Sequence, residues 1–226
     1  MNNYCKIPKI IFQTSLKKPE QYLINMIKIQ APLWKYEHYT DSEIIDFFIK
    51  NPLNEFPLII EKFNSIKGGA HKADLFRYYY LYINGGAFLD SDAMLQTKMI
   101  NCAKNYDFFT VNSSYCPGCI FQGFIGATPN NPIIYDALKD AYNIDINALS
   151  KDYLLLCRNL YDILKNNKYN LEIKIYQEIT GPEGIALNIN PDNNRLLIAH
   201  YFENKIVPKA FFDYKKFIIN KILFKK

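Results

Sequence analysis

No stretch of this sequence approaches the ~18 consecutive apolar residues of a membrane-spanning helix, so no span is expected. A signal peptide is not expected either, because Asn2, Asn3, Lys6, Pro8 and Lys9 interrupt any apolar run at the start. No proline- or glycine-rich linker, low-complexity tract or internal repeat divides the chain. Its 226 residues suffice for one domain with a substantial core and are too few for two ordinary ones. Basic residues form no extended patch before the C-terminus, which argues against nucleic acid as a partner. Histidine is scarce: His38, His71 and His200 are the three imidazoles available. What the chain has in quantity is apolar and aromatic residues, with 18 Tyr and 16 Phe, and that composition excludes disorder.

Cys5, Cys102, Cys116, Cys119 and Cys157 suit a reducing compartment. Cys116-Pro-Gly-Cys119 has the spacing of a redox dithiol or half a zinc site, but zinc would need a second Cys or His pair at suitable spacing. A turn between two strands, with cysteines as small fillers, is the favoured reading, and an incidental disulfide stays open. A cytoplasmic location follows from these features.

The formal charge is +5, and residues 214–226 hold Lys215, Lys216, Lys221, Lys225 and Lys226 with no acid, which leaves the rest neutral. Phe217, Ile218, Ile222 and Leu223 interleave with these lysines in a helical pattern. Such a tail could lie on an anionic membrane surface. An ordinary C-terminal helix with one face on the domain is the plainer alternative. The chain therefore divides into a domain over 1–213 and a basic amphipathic tail.

Apolar periodicity predicts strands over 7–13, 34–39, 87–89, 107–111 and 120–127, and a late one ending before His200. Helices are predicted over 20–30, 41–50, 69–84, 132–142 and 151–166, with Thr40 or Asp41 capping the second and Pro132 in the first turn of the fourth. Strands alternating with helices imply an α/β fold with a mostly parallel central sheet.

The most informative segment is Lys72-Ala-Asp-Leu-Phe-Arg77 followed by Gly85-Gly-Ala-Phe-Leu-Asp90-Ser-Asp92. Asp74 and Arg77, three apart, share a helix face. Asn84, Gly85 and Gly86 tolerate the left-handed backbone that ends a helix. A short apolar strand then leads to Asp90 and Asp92, which, two apart on a strand, would point to one side. Two converging carboxylates suit a hard divalent cation, Mn²⁺ or Mg²⁺, that completes its shell with phosphate oxygens. In open α/β sheets ligands bind beyond the carboxyl ends of the strands. A bare Asp-x-Asp arises by chance roughly 0.7 times in such a chain and carries no weight alone. The bland reading makes Asp74 and Arg77 a surface ion pair and the two aspartates a solvated turn.

The full string resembles the DXD-motif sugar transferases, the family 32 glycosyltransferases that include fungal α-mannosyltransferases and capsular-polysaccharide transferases. It is more distantly similar to the catalytic domains of large glucosylating toxins. Ile7-Pro-Lys-Ile-Ile-Phe-Gln-Thr14, Phe121-Gln-Gly-Phe-Ile-Gly-Ala-Thr-Pro-Asn-Asn-Pro-Ile-Ile134 and Thr180-Gly-Pro182 resemble further family segments in order. The opening strand departs from the family pattern at Phe12, where His is common, and at Ser15-Leu16, where Trp follows.

The resemblance implies a single-domain, Rossmann-like nucleotide-sugar transferase fold of the GT-A type. It implies that Asp90 and Asp92 bind metal and diphosphate, that Asp74 and Arg77 hold donor-sugar hydroxyls, and that Gln13 and Thr14 border the nucleotide. His200 would be a third metal ligand, although a lone His at a strand end is more often simply hydrogen-bonded. His71 is expected to face the same cleft, and His38 is left as structural. Gln177 and Glu183, and more weakly Asn112 and Gln122, are further cleft candidates.

The expected reaction moves a hexose or N-acetylhexosamine from a UDP- or GDP-sugar to a hydroxyl of a glycan, polysaccharide or lipid-linked acceptor, with retention of configuration. Two rivals stand beside it. A catalytically silent sugar-binding module would bind donor without turnover. A metal-dependent phosphoryl-transfer enzyme would gather further carboxylates.

Overall fold

The computed structural model describes residues 5–19, 21–181 and 186–200. The basic tail over 214–226, Pro182 and Glu183 lie outside the described residues. In chain order the elements are β1 (Ile10–Thr14), α1 (Gln21–Gln30), β2 (Lys35–Tyr39), α2 (Asp41–Lys50), α3 (Ile59–Ser65), α4 (Gly69–Asn84), β3 (Gly86–Leu89), β4 (Ala93–Leu95) and α5 (Ile100–Ala103). There follow β5 (Phe108–Asn112), β6 (Ile120–Ala127), α6 (Pro132–Asn143), α7 (Ile146–Lys151), α8 (Leu155–Lys165), β7 (Ile173–Thr180), β8 (Ala186–Asn190) and β9 (Arg195–His200). None of the described helices is long and apolar enough to cross a membrane.

The strands form one nine-stranded mixed sheet in the order β2-β1-β3-β6-β5-β7-β8-β9-β4. β2, β1, β3, β5 and β7 all run the same way, with β6 alone reversed among them, so the core of the sheet is mostly parallel. Beyond β7 every pairing is antiparallel. Consecutive residues of a strand face opposite sides, and both sides are buried. Phe12, Phe88 and Phe108 join the core under α2, α3, α4, α6 and α8. Ile11, Ala87, Leu89 and Phe109 join the opposite core with Ile27 and Trp34.

Helix α4 is buried almost all round, from His71 to Leu81, as expected of a helix inside the fold rather than on it. It stops where Gly85 (φ 64°) and Gly86 (φ 100°) adopt left-handed backbone. A Cβ on Gly85 would meet the Pro129 nitrogen at 2.8 Å and one on Gly86 the Ile10 carbonyl at 2.9 Å, so larger residues are excluded twice over. Phe12 explains its departure from the family pattern: it is wholly buried against Phe76, Tyr80 and Phe88 and belongs to the core.

Two local expectations are corrected. The helix predicted over 151–166 begins four residues later, as α8, after a separate short helix α7 that ends at Lys151, because the Asp152 carboxylate accepts the Leu154 amide at 3.2 Å and pairs with Arg158, turning the chain between them. Asp90 and Asp92 are not consecutive same-side residues of a strand. Ala93 N bonds Asp90 O at 3.0 Å, so they form a turn between β3 and β4.

That turn has a large consequence. β3 is third in the sheet and β4 ninth, a separation of about 29 Å if the strands lay side by side on a plane. The chain from Leu89 to Ala93 reaches at most about 14 Å. The sheet must therefore curl until its far edge returns to the end of β3. The curl sets Ala93 opposite His200 in the β4–β9 ladder.

Candidate active site

Three elements of the parallel half converge. Helix α4 supplies Asp74 and Arg77, the turn after β3 supplies Asp90, and β6 supplies Gln122 and Gly123. They line a cavity of about 390 Å³ together with Thr14, Ser91 and Tyr153. Asp74 is 7% exposed and Arg77 4%, so the reading as a surface ion pair is excluded. Arg77 Nη1 lies 3.0 Å from Asp74 Oδ1 and donates to Gln122 O at 2.8 Å, while Nη2 lies 3.6 Å from Asp90 Oδ1. Its guanidinium stacks 4.0 Å over the Phe88 ring. Its Nε has no hydrogen-bond partner in this structure. Removing such charges from water is expensive, and their place beside an open cavity makes this the candidate ligand site.

Burial pushes the Asp74 and Asp90 carboxyls above the usual range, and Arg77 between them pulls both back. Asp92 adds repulsion at Asp90, which His200 offsets. The Gln122 side chain accepts from the Tyr78 hydroxyl and donates to Cys157 Sγ at 3.6 Å. Burial lifts the Cys157 thiol to about 11, so it stays protonated and unreactive at neutral pH.

The curled antiparallel half supplies the rest. His200 Nδ1 lies 3.4 Å from Asp92 Oδ1, and Phe121 packs edge-on against the imidazole at 4.9 Å. Ligand atoms of Asp90, Asp92 and His200 all lie within 4.8 Å of one another. Two carboxylates and one imidazole at that separation fit a divalent cation, Mn²⁺ better than Mg²⁺ because of the nitrogen.

Other predicted residues fall elsewhere. Thr14 lines the cavity. Gln13 is buried beneath it, donating to Asp90 O at 2.8 Å and accepting from Tyr36 at 2.7 Å, so its part is to fix the Asp90 backbone. His71 does not reach this cavity: its Nε2 lies 3.1 Å from Tyr153 O, and it lines a neighbouring cavity with Ile66 and Leu149. His38 bonds Ser15 Oγ at 2.7 Å beside the cavity mouth. The Gln177 side chain donates to the Asn112 backbone carbonyl at 3.3 Å, across β5 and β7. Gln122, named only weakly from the sequence, is central. No signal of its own marks Gly123, and the signal for both is their place in the Phe121-to-Ile134 string.

Cys116 and Cys119 form a disulfide in the turn between β5 and β6, and Cys119 lines the cavity. The turn itself is held by Glu178, which accepts from Ser113 Oγ and Ser114 N.

A curled mixed sheet with an Asp-x-Asp turn and a buried Asp–Arg pair above β3 defines a glycosyltransferase fold of the GT-A type. The solved PaToxG glycosyltransferase has this fold, with a TM-score of 0.51 at 16% identity over 70% of this chain and 69% of that one. By sequence the chain belongs to the family described as glycosyltransferase sugar-binding region containing DXD motif, which matches residues 17–109. An uncharacterized glycosyltransferase of Acanthamoeba polyphaga mimivirus is 30% identical over 182 residues, covering 73% of this chain and 68% of the relative. The inositol phosphoceramide mannosyltransferase 1 of Schizosaccharomyces pombe is 27% identical over 147 residues, 60% of this chain and 43% of that protein. A mannosyl phosphorylinositol ceramide synthase of Saccharomyces cerevisiae is 30% identical over 137 residues, 59% of this chain and 35% of that protein. The chain thus spans less than half the length of these fungal relatives.

Proposed function

We propose that this chain transfers a hexosyl unit from a nucleotide-diphosphate sugar to a hydroxyl acceptor, with a divalent cation at Asp90, Asp92 and His200. The observation that carries this reading is the buried Asp74–Arg77 pair opening into the same cavity as Asp90. The pair offers a donor-sugar site beside a diphosphate site. Mannosyl is the first candidate, because the fungal relatives are named for mannosyl transfer.

Asp74 accepts from sugar hydroxyls, and Arg77, fixed by Asp74, the Gln122 carbonyl and Phe88, turns its positive charge toward the donor. Lewis-acid stabilisation of the departing diphosphate is what a cation held by Asp90, Asp92 and His200 supplies. The anomeric carbon turns cation-like as that bond breaks, and the carboxylates around it stabilise the charge. Retention follows if the acceptor attacks from the leaving-group face and the leaving phosphate takes its proton.

The acceptor is a glycan or a lipid-linked hydroxyl, and the tail at 214–226 is the segment through which a membrane contact would form. Against phosphoryl transfer, the described residues gather one three-residue group able to hold a metal and no second.

The test is hydrolysis of a panel of UDP- and GDP-sugars with Mn²⁺ or Mg²⁺. One nucleotide is released in a metal-dependent way, and Asp92→Asn lowers the rate by at least about 100-fold, since several kcal/mol of charge stabilisation are lost. Silence across the panel with tight donor binding would instead favour the sugar-binding module.

A further inference from the structure

His200 has a second polar neighbour besides Asp92. Asn188 on β8 is wholly buried, at 0% exposure. Its Nδ2 lies 3.4 Å from His200 Nε2, and its Oδ1 has no hydrogen-bond partner in this structure. The two ends of an asparagine amide exchange by a half-turn, and the hydrogen-bond network decides which is oxygen. A half-turn here sets Oδ1 against His200 Nε2, where it accepts if Nε2 carries the proton, and moves Nδ2 to the place that Oδ1 now holds.

The imidazole cannot easily present itself otherwise. Phe121 packs edge-on against the ring, Nδ1 faces Asp92, and Nε2 faces Asn188. In one neutral tautomer Nδ1–H donates to Asp92, Nδ1 has no lone pair for a cation, and Asn188 Oδ1 stays buried and unpaired. In the other, Nε2–H donates to Asn188 Oδ1 and Nδ1 offers its lone pair beside Asp92 and Asp90. Only the second leaves a ring-nitrogen lone pair facing the carboxylates.

Resting on the reading of Asp90, Asp92 and His200 as a cation site, we propose that Asn188 is its positioning residue. Its side-chain carbonyl accepts from His200 Nε2–H and so fixes the tautomer in which Nδ1 can bind a divalent cation.

Titration of the full chain with Mn²⁺ by calorimetry tests this. Asn188→Leu, which keeps the branching at Cγ but has no acceptor, weakens Mn²⁺ by about 10–100-fold, while Asn188→Asp, which keeps one, stays within about threefold of the parent or binds more tightly. Leu binding like the parent, or Asp as weak as Leu, overturns the proposal. His200→Ala separates the two levels. If it leaves Mn²⁺ affinity unchanged, the cation-site reading falls and the proposal with it. If it weakens Mn²⁺ while Asn188→Leu does not, the proposal alone falls. Nitrogen-15 histidine spectra of the unmutated chain, with Zn²⁺ as a diamagnetic probe, need no variant to fold. They show His200 protonated on Nε2, and protonation on Nδ1 would overturn the assignment.

Discussion

On the α4–β3–β6 side of the site, Arg77 is held at 3.0 Å by Asp74, at 2.8 Å by the Gln122 carbonyl and at 4.0 Å over Phe88. On the β4–β9 side, Asp92 and His200 meet at 3.4 Å, and the Asp92 side chain is 42% exposed. The first side is preorganised before any ligand arrives. The second is looser, and its two groups are related through the curl of the sheet rather than through a shared element. The contrast suits a division of labour. A sugar is read by fixed geometry, whereas a cation can draw in ligands that start slightly apart.

If the division is right, damage to the two sides differs in kind. Arg77→Met leaves Asp74 as an uncompensated buried carboxylate and costs about 3–5 kcal/mol, or roughly 6–20 °C in melting temperature for a chain of this size. His200→Ala, by contrast, falls mainly on cation affinity. Thermal melts of both variants, with and without Mn²⁺, expose the difference, and equal losses would erase the comparison.

Gly123→Ala probes the seam between the sides. A Cβ there would lie 2.2 Å from Asp90 Oδ2 and 2.4 Å from the Phe121 ring, which itself packs on His200. Something must shift, at a cost of about 1–3 kcal/mol. Donor turnover and Mn²⁺ affinity should fall together, by about tenfold or more, as measured by hydrolysis and calorimetry. Loss of stability alone would mean that Asp90 relaxes freely.

The smallest effect is that of pH. Asp90 titrates above the usual carboxylate range in the metal-free chain because of its burial. A raised carboxyl contributes stability below its unfolded value, and that contribution is lost as pH rises through the folded value. The metal-free chain is therefore penalised at neutral pH, where a cation relieves the penalty. The Mn²⁺-induced rise in melting temperature should be larger at pH 7 than at pH 5, and Mn²⁺ affinity should weaken severalfold (~2–10-fold) on acidification as protons compete.

The preorganised side was the legible one. The helical period from Ala73 to Ile83, the stop at Gly85 and Gly86, and the Asp–Arg spacing are all local, and α4 formed with the predicted limits. The looser side was legible only in part. His200 was reachable as a strand-end imidazole, but its meeting with Asp92 depends on the curl that closes β4 onto β9, which no local pattern encodes. The short, antiparallel β8 carries no motif at Asn188, so nothing in the sequence marked that residue. Gln13 reads from the sequence as an amide at the end of the first strand, and what the sequence does not show is that Tyr36 and Asp90, distant along the chain, take both of its ends.

The measurement closest to the central claim is calorimetric binding of UDP and GDP to the metal-free and Mn²⁺-loaded chain, beside Asp90→Asn. Two sides joined by a cation at Asp90 and Asp92 predict that one nucleoside diphosphate binds at least about tenfold more tightly with Mn²⁺, and that Asp90→Asn abolishes the gain. Equal binding with and without Mn²⁺, or a gain that survives Asp90→Asn, would contradict it.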